Sequence, residues 1–248
     1  MGKHGKCSHD AEACYPPAPG GGVYPDMMES PQLRWAFVRK VYVIVTLQLL
    51  LTVFVAAVVN HVTAIGIFFR SRTMASLAAF IAIIISPIIV MIPMIFLRKR
   101  HPINLVLLAL FTVCISFVVG LSCLSAKGVI VMEAAVITLV VVVGLTGYTF
   151  WAAKKGYDFE FLGPFLLVAC LILMIYGLVR IIFPMGRTGT MVYGCIAALV
   201  FSGFIIYDTD NLIKRFSYDE YVTAAIELYL DIINLFQAIL TILEAIDG

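Results

Sequence analysis

Beyond a polar opening stretch, the chain alternates between long apolar runs and short polar interruptions. Seven runs stand out, near Val41–Val59, Met74–Leu97, Ile103–Leu124, Val129–Phe150, Phe161–Phe183, Met191–Tyr207 and Ala224–Ile246. Each is close to the ~20 residues that a helix needs to cross the hydrocarbon core of a bilayer. None shows the period-2 alternation of a membrane β-barrel strand. A helix satisfies every backbone group within its own segment, which lipid demands, so the pattern predicts an all-α membrane protein, a bundle of seven transmembrane helices.

The stretch before the first run reads differently. Residues 1–33 are rich in Gly, Pro and Ser, including Tyr15-Pro16-Pro17-Ala18-Pro19-Gly20-Gly21-Gly22, and cannot bury a core. They predict a flexible cytosolic tail, followed by one transmembrane domain over residues 34–248. Arg34-Trp35-Ala36-Phe37-Val38-Arg39-Lys40 reads as an interfacial mix of basic and aromatic side chains. The first apolar run lies beyond a normal signal-peptide position, so it is expected to remain as the first span.

Composition agrees with the pattern. Hydrophobic residues make up 62% of the chain and charged residues 13%, about half the share of a soluble domain. The formal net charge of +2 argues against nucleic acid, which calls for a concentrated basic face. Cys114, Cys123, Cys170 and Cys195 lie in apolar runs, where thiols act as small hydrophobes rather than as a disulfide framework. Cys7 and Cys14, with His4 and His9, offer metal-ligand types, but in a segment that reads as an unstructured tail.

The placement of Lys and Arg sets an orientation. Twelve of them (Lys3, Lys6, Arg34, Arg39, Lys40, Arg98, Lys99, Arg100, Lys154, Lys155, Lys214 and Arg215) fall in the tail and the loops after spans two, four and six. Five (Arg70, Arg72, Lys127, Arg180 and Arg187) fall on the other side. The bias predicts a cytosolic N-terminus. The last run carries three acids and reads either as a seventh span or as a re-entrant segment.

Ionisable groups inside spans are costly and usually face the bundle interior or water. Here they are Glu133 in span four, Asp208 and Asp210 at the end of span six, and Glu227, Asp231 and Glu244 in span seven. Glu227, Asp231 and Asn234 follow i, i+4, i+7 spacing and share one helical face. Gly194 and Ala198 would let span six approach a neighbour closely. Two carboxyls brought together in low dielectric share one proton and titrate as a coupled pair, a chemical basis for sensing pH. The plainer reading, in which Asp208 ends its span at the interface and Asp231 is a satisfied core acid, stays open on these residues alone.

Phe204-Ile205-Ile206-Tyr207-Asp208-Thr209-Asp210, followed by Ala224-Ala225-Ile226-Glu227-Leu228-Tyr229-Leu230-Asp231-Ile232-Ile233-Asn234-Leu235-Phe236, closely resembles the signature of the transmembrane Bax inhibitor motif family. His101-Pro102-Ile103-Asn104-Leu105 and Lys155-Gly156-Tyr157-Asp158-Phe159 resemble its Lifeguard branch, and the likeness covers the chain from about Arg34 onwards. The resemblance implies a seven-helix bundle that leaks Ca2+ from internal stores and dampens cell death. It also implies an aspartate pair acting as a proton-sensitive latch, which falls on Asp208 and Asp231. A partnering arginine falls on Arg98, with Arg100 close by. Asp210 departs from the pattern, since many relatives carry an amide there. It points nearly opposite Asp208 on a helix and is left out of the pair.

Under that resemblance, Asp208 and Asp231 would give Ca2+ a transient, incomplete oxygen set, with Glu133, Glu227 and Asn234 as further candidates along the ion path. Ca2+ enters as the permeant ion, and no cofactor is expected. The rival classes fit less well. An intramembrane aspartyl protease carries Gly-x-Gly-Asp at its second aspartate, where this chain has Leu228-Tyr229-Leu230-Asp231. A seven-helix receptor would need larger tails and loops to engage partners. No nucleotide loop, metalloprotease helix or nucleophile elbow is present, so no enzyme is expected. The main alternative is a non-conducting regulator that binds other membrane proteins of Ca2+ handling or cell death. The expected location is the endoplasmic reticulum, with other endomembranes or the plasma membrane as alternatives.

Overall fold

The computed structural model describes residues 31–71, 73–97, 102–183 and 186–247. Among them every regular element is helical: α1 (Pro31–His61), α2 (Thr63–Arg70), α3 (Met74–Leu97), α4 (Ile103–Cys123), α5 (Gly128–Lys154), α6 (Leu162–Ile182), α7 (Arg187–Lys214) and α8 (Tyr221–Asp247), with a 3-10 turn at Tyr218–Glu220. Seven of these, all but α2, are long and apolar enough to span a bilayer. With large apolar side chains exposed on their outer faces, such as Ile88, Phe96, Leu171 and Leu199, the chain is a multi-pass integral membrane protein. The tail expected over residues 1–33, with Cys7, Cys14, His4 and His9, lies outside the described residues except where α1 begins at Pro31.

The bundle is arranged around α8, where 50% of the membrane window is buried against 11% for α3 and α6. α8 is one continuous helix, which removes the re-entrant alternative. Hydropathy alone misses two features. α2 is too short to cross and has no buried residue. The ends of α1 and α7 extend past their apolar runs because charged groups there are paired inside the protein. Arg34, expected at the interface, is 2% exposed and donates to the backbone carbonyls of Leu212 (3.4 Å) and Phe216 at the end of α7. At the other end, Arg187 donates to the carbonyls of Ala245 and Ile246 at the end of α8. Both arginines thus meet carbonyls that a helix end leaves unpaired, with the favourable sign for the helix dipole. Proline inside α3 is handled similarly. Pro87 cannot donate to Ile83, and the Ser86 hydroxyl bonds that carbonyl instead at 2.8 Å.

Two kinds of contact hold α8 in place. Towards α1 and α4 there is a seam of buried hydroxyls and amides. Thr52 meets Tyr229 at 2.7 Å, Ser116 donates to Thr52 at 3.1 Å, and Gln48 donates to Thr112 at 3.0 Å. Interhelical hydrogen bonds of this sort bind helices that have no hydrophobic drive to associate in lipid. Towards α7 the contact is a close approach. A Cβ at Gly194 would stand 2.7 Å from Ile242 Cγ1 and 3.1 Å from the Ala238 carbonyl oxygen. The expectation that Gly194 admits a neighbour is met.

The segment between α5 and α6 is locked to the end of α7. Gly156, with φ 85°, ends α5 in a left-handed turn, with Tyr157 N–H bonded to Ala152 O and Gly156 N–H to Ala153 O. This turn delivers Tyr157-Asp158-Phe159 onto α7. Lys214, 4% exposed at its side chain, contacts Asp210 at 2.7 Å and Asp158 at 3.6 Å and donates to Tyr157 O at 2.6 Å. Arg215 reaches Asp158 at 2.7 Å, Glu160 at 3.3 Å and Asp210 at 3.7 Å. Asp210 is wholly buried and accepts from Phe159 N–H at 3.3 Å. Asp158 sits lower than an ordinary aspartate near 3.8. Its slight burial works the other way and is outweighed by hydrogen bonds from Arg215 and Glu160 N–H and by the Arg215 charge.

Three outcomes follow from these contacts. Gly194→Ala should cost roughly 1–3 kcal/mol by overpacking and lower the melting temperature in detergent. Gly144→Ala, which meets nothing within 4 Å, should not. Lys214→Met should leave buried Asp210 without its nearer counter-ion and with only Arg215 at 3.7 Å, at a cost on the order of 3 kcal/mol, and adding Asp210→Asn should restore much of the lost melting temperature. Because the folded-state value of Asp158 is depressed, its contribution is full above pH 3.8 and fades as pH falls through the folded value. Amide exchange in residues 157–160 should therefore rise below about pH 4 in the wild type and be raised already at neutral pH in Asp158→Asn.

Candidate functional site

The α7–α8 contact that Gly194 permits brings two acids together farther along the same pair of helices. Asp208 of α7 is half-buried and Asp231 of α8 is 6% exposed, and their carboxyls lie within hydrogen-bond reach of each other. One helical turn back on α8, Glu227 is near enough for its charge to act on both. Cys170 of α6 lies in the wider surroundings of Asp231. Asn234, half-buried, continues the polar stripe of α8 beyond Asp231. At Asp231 this face therefore meets α7, while Tyr229 turns towards α1 and α4.

The pair is also wired to the locked loop. Asn211, one turn beyond Asp208, lies close enough to act on its carboxyl and accepts from Arg215 Nη1 at 2.6 Å through its own carbonyl oxygen. A continuous path of polar contacts thus runs from Asp231 through Asp208, Asn211 and Arg215 to Asp158 and Glu160 at the exposed end of the bundle. Sequence reasoning passed over Asn211 and read Lys214 and Arg215 only as orientation signals. The i, i+3 step from Asp208 to Asn211 and the i, i+4 step from Asp210 to Lys214 were the available clues.

The chemistry open to this site is that of carboxyls short of partners. Asp231 Oδ2 is buried with no hydrogen-bond partner among the described residues. Two adjoining carboxyls hold one proton between them at much lower cost than two negative charges. Among the described residues no group of three or more His, Cys, Asp or Glu side chains could hold a metal ion. The pair therefore offers a cation a few oxygens rather than a closed cage.

Of the other residues singled out from sequence, Glu133 does not join the site. It is exposed on α5, within two turns of that helix's N-terminus, where a carboxylate can face the interface and the positive end of the dipole. Asp210 stands apart from the pair, as its helical position implied, and belongs to the Lys214 cluster. Arg98 and Arg100 lie outside the described residues.

Comparison with known proteins draws on the whole chain. The family model described as "Inhibitor of apoptosis-promoting Bax1" matches residues 34–248. The chain is 57% identical to Protein LIFEGUARD 4 of Arabidopsis thaliana over 90% of both chains. It is 51% identical to Protein LIFEGUARD 2 of the same plant, over 97% of this chain and 98% of that one. A more distant relative, the Golgi anti-apoptotic protein of vaccinia virus (strain Lister), is 39% identical over 87% of each. With a matching family model across all seven spanning helices and relatives aligned nearly end to end, this chain belongs to the Bax inhibitor motif family and to its Lifeguard proteins.

Proposed function

We propose that this protein is a pH-sensitive Ca2+ leak channel of an intracellular membrane that restrains cell death, gated by the Asp208–Asp231 pair. The observation that carries the reading is the contact of these two carboxyls in the interior of the bundle, beside a third acid, Glu227. A buried carboxyl pair that exchanges a proton changes its charge and its need for solvation together. When the proton leaves, repulsion between the carboxylates favours separation of α7 from α8 and hydration of the gap. The same oxygens then attract a divalent cation without holding it tightly, as conduction requires.

The reading takes the N-terminus as cytosolic, from the Lys and Arg bias. It takes the endoplasmic reticulum as the first location to examine. The word "anti-apoptotic" in the name of the vaccinia relative supports a role in restraining cell death. No enzymatic step is invoked; the carboxyls act by exchanging protons and meeting a cation. Arg98 keeps the part that the family resemblance implies, a partner for the pair from the end of α3.

Ca2+ entry into dye-loaded liposomes holding the purified protein tests this directly. Flux through the wild type should depend on pH, and Asp208→Asn and Asp231→Asn should each flatten that dependence. An unchanged pH profile in both variants would remove the pair from gating. Flux no greater than in empty liposomes would favour the non-conducting regulator, whose partners would then be sought among other membrane proteins.

A further inference from the structure

At the end of the bundle remote from Arg34 and Lys214, α2 folds back over the start of α3 and the end of α4. Between the three lies an open-sided cavity of about 490 Å³, lined by Gly66, Phe69, Arg70, Ser76, Leu77 and Phe80, with Leu121, Leu124 and Ser125 from α4 and its end. Its size falls within the range of small-ligand sites. Three of the lining residues, Gly66, Phe69 and Arg70, follow i, i+3, i+4 spacing and share the inner face of α2. Ile67, 70% exposed, and Phe68 point away from the cavity and give α2 an apolar outer side suited to lie in the interfacial zone of a bilayer.

Among the described residues the lining has one charged member. The Arg70 guanidinium spends one donor on the Leu124 carbonyl, with Nη2 to O at 3.1 Å, which fixes it at the rim. Among the described residues no carboxylate pairs with it, although five cationic side chains, Lys40 through cation–π contacts, Lys127, Lys214, Arg215 and Arg180, all find anionic, hydroxyl or aromatic partners. Below the guanidinium the walls are Phe69, Leu77, Phe80, Leu121 and Leu124, an apolar slot for a chain. Gly66 keeps that slot open, because a Cβ there would meet only Leu124 Cδ2, at 3.8 Å.

We infer that this cavity is a binding site for an anionic phospholipid, with its phosphate on Arg70 and an acyl chain between Phe69, Leu77 and Phe80. Charge complementarity selects the acidic head, since a guanidinium recognises phosphate through paired hydrogen bonds and nothing in the lining neutralises it. The apolar walls select an amphiphile over a soluble anion. The position of α2, where headgroups meet hydrocarbon, selects a lipid of the surrounding bilayer as the source. The inference is independent of the ion-leak reading, because none of these residues belongs to the Asp208–Asp231 site.

The test is lipid retention by native mass spectrometry on the purified full chain, exposed in turn to phosphatidylglycerol and phosphatidylcholine. Wild type, Arg70→Gln, Gly66→Leu and the opposite-end control Lys155→Gln would be compared. The wild type should retain phosphatidylglycerol in preference to phosphatidylcholine and should melt higher in its presence. Arg70→Gln should lose about tenfold of that preference, Gly66→Leu should lose retention of both lipids, and Lys155→Gln should match the wild type. Equal retention by all four proteins, or an equal loss in Lys155→Gln, would overturn the site. Displacement of the lipid by inorganic phosphate at comparable concentration would overturn the lipid as its ligand. If Gly66→Leu fails to fold, Arg70→Gln and its loss of lipid-dependent melting still decide the matter.

Discussion

Hydrocarbon offers no water to a buried polar group, so every acid and base drawn into a membrane bundle must find its partner in the protein. That constraint organises this fold more than apolar packing does, because lipid chains are as good a neighbour for leucine as another helix is. α8 shows the consequence. On one side its Tyr229 hydroxyl joins Thr52 and Ser116; on the other its Asp231 carboxyl meets Asp208. Its end is held by Arg187, and the end of α7 by Arg34. The central helix is thus located by polar contacts on two faces and at one terminus, while the outer faces of α3 and α6 are left to lipid.

The same constraint bears on the acid pair. Buried polar side chains elsewhere in the bundle, such as Gln48, Thr52 and Tyr229, meet hydroxyls. Asp208 and Asp231 instead meet each other, and two adjoining carboxyls are held at lower cost with one proton between them than as two charges. Asn211 and Arg215 then join the pair to the lock on the loop between α5 and α6. A chain of side chains that touch supplies a physical route for coupling, and its energetic weight is what double-mutant cycles measure.

The fold was legible to a large degree because hydropathy is a property of long windows. The apolar run at Met74–Leu97 coincides with α3, and Ile103–Leu124 misses α4 by one residue at its end. The failures occur where charge is absorbed into the protein. Arg34 and Lys214 look like interfacial signals to any rule based on charge, yet each is buried because specific carbonyls or carboxylates await it. α2 escaped notice because eight residues are too few to register as a span. The acid pair was legible only through resemblance. Helical spacing places Glu227, Asp231 and Asn234 on one face, but which helix that face meets is a tertiary fact. Glu133 stands apart from the pair for the same reason, since a helix position alone does not say whether a side chain turns inward or out.

The two faces of α8 also differ in what it would take to open them. Parting α8 from α1 and α4 would strand the Tyr229 hydroxyl, left unpaired in low dielectric at a cost on the order of 1–3 kcal/mol. Parting α8 from α7 near Asp231 breaks a contact between two carboxyls, a kind of contact that attracts when one proton is shared and repels when both groups are charged. The close packing at Gly194 lies more than three turns from Asp208 along α7, and the Arg187 cap lies beyond it, so these contacts can persist while the acid end loosens. Around α8, then, the α7 face near Asp231 is the one that the proposed proton-dependent gating would act on, and it is where Asp208 and Asp231 meet.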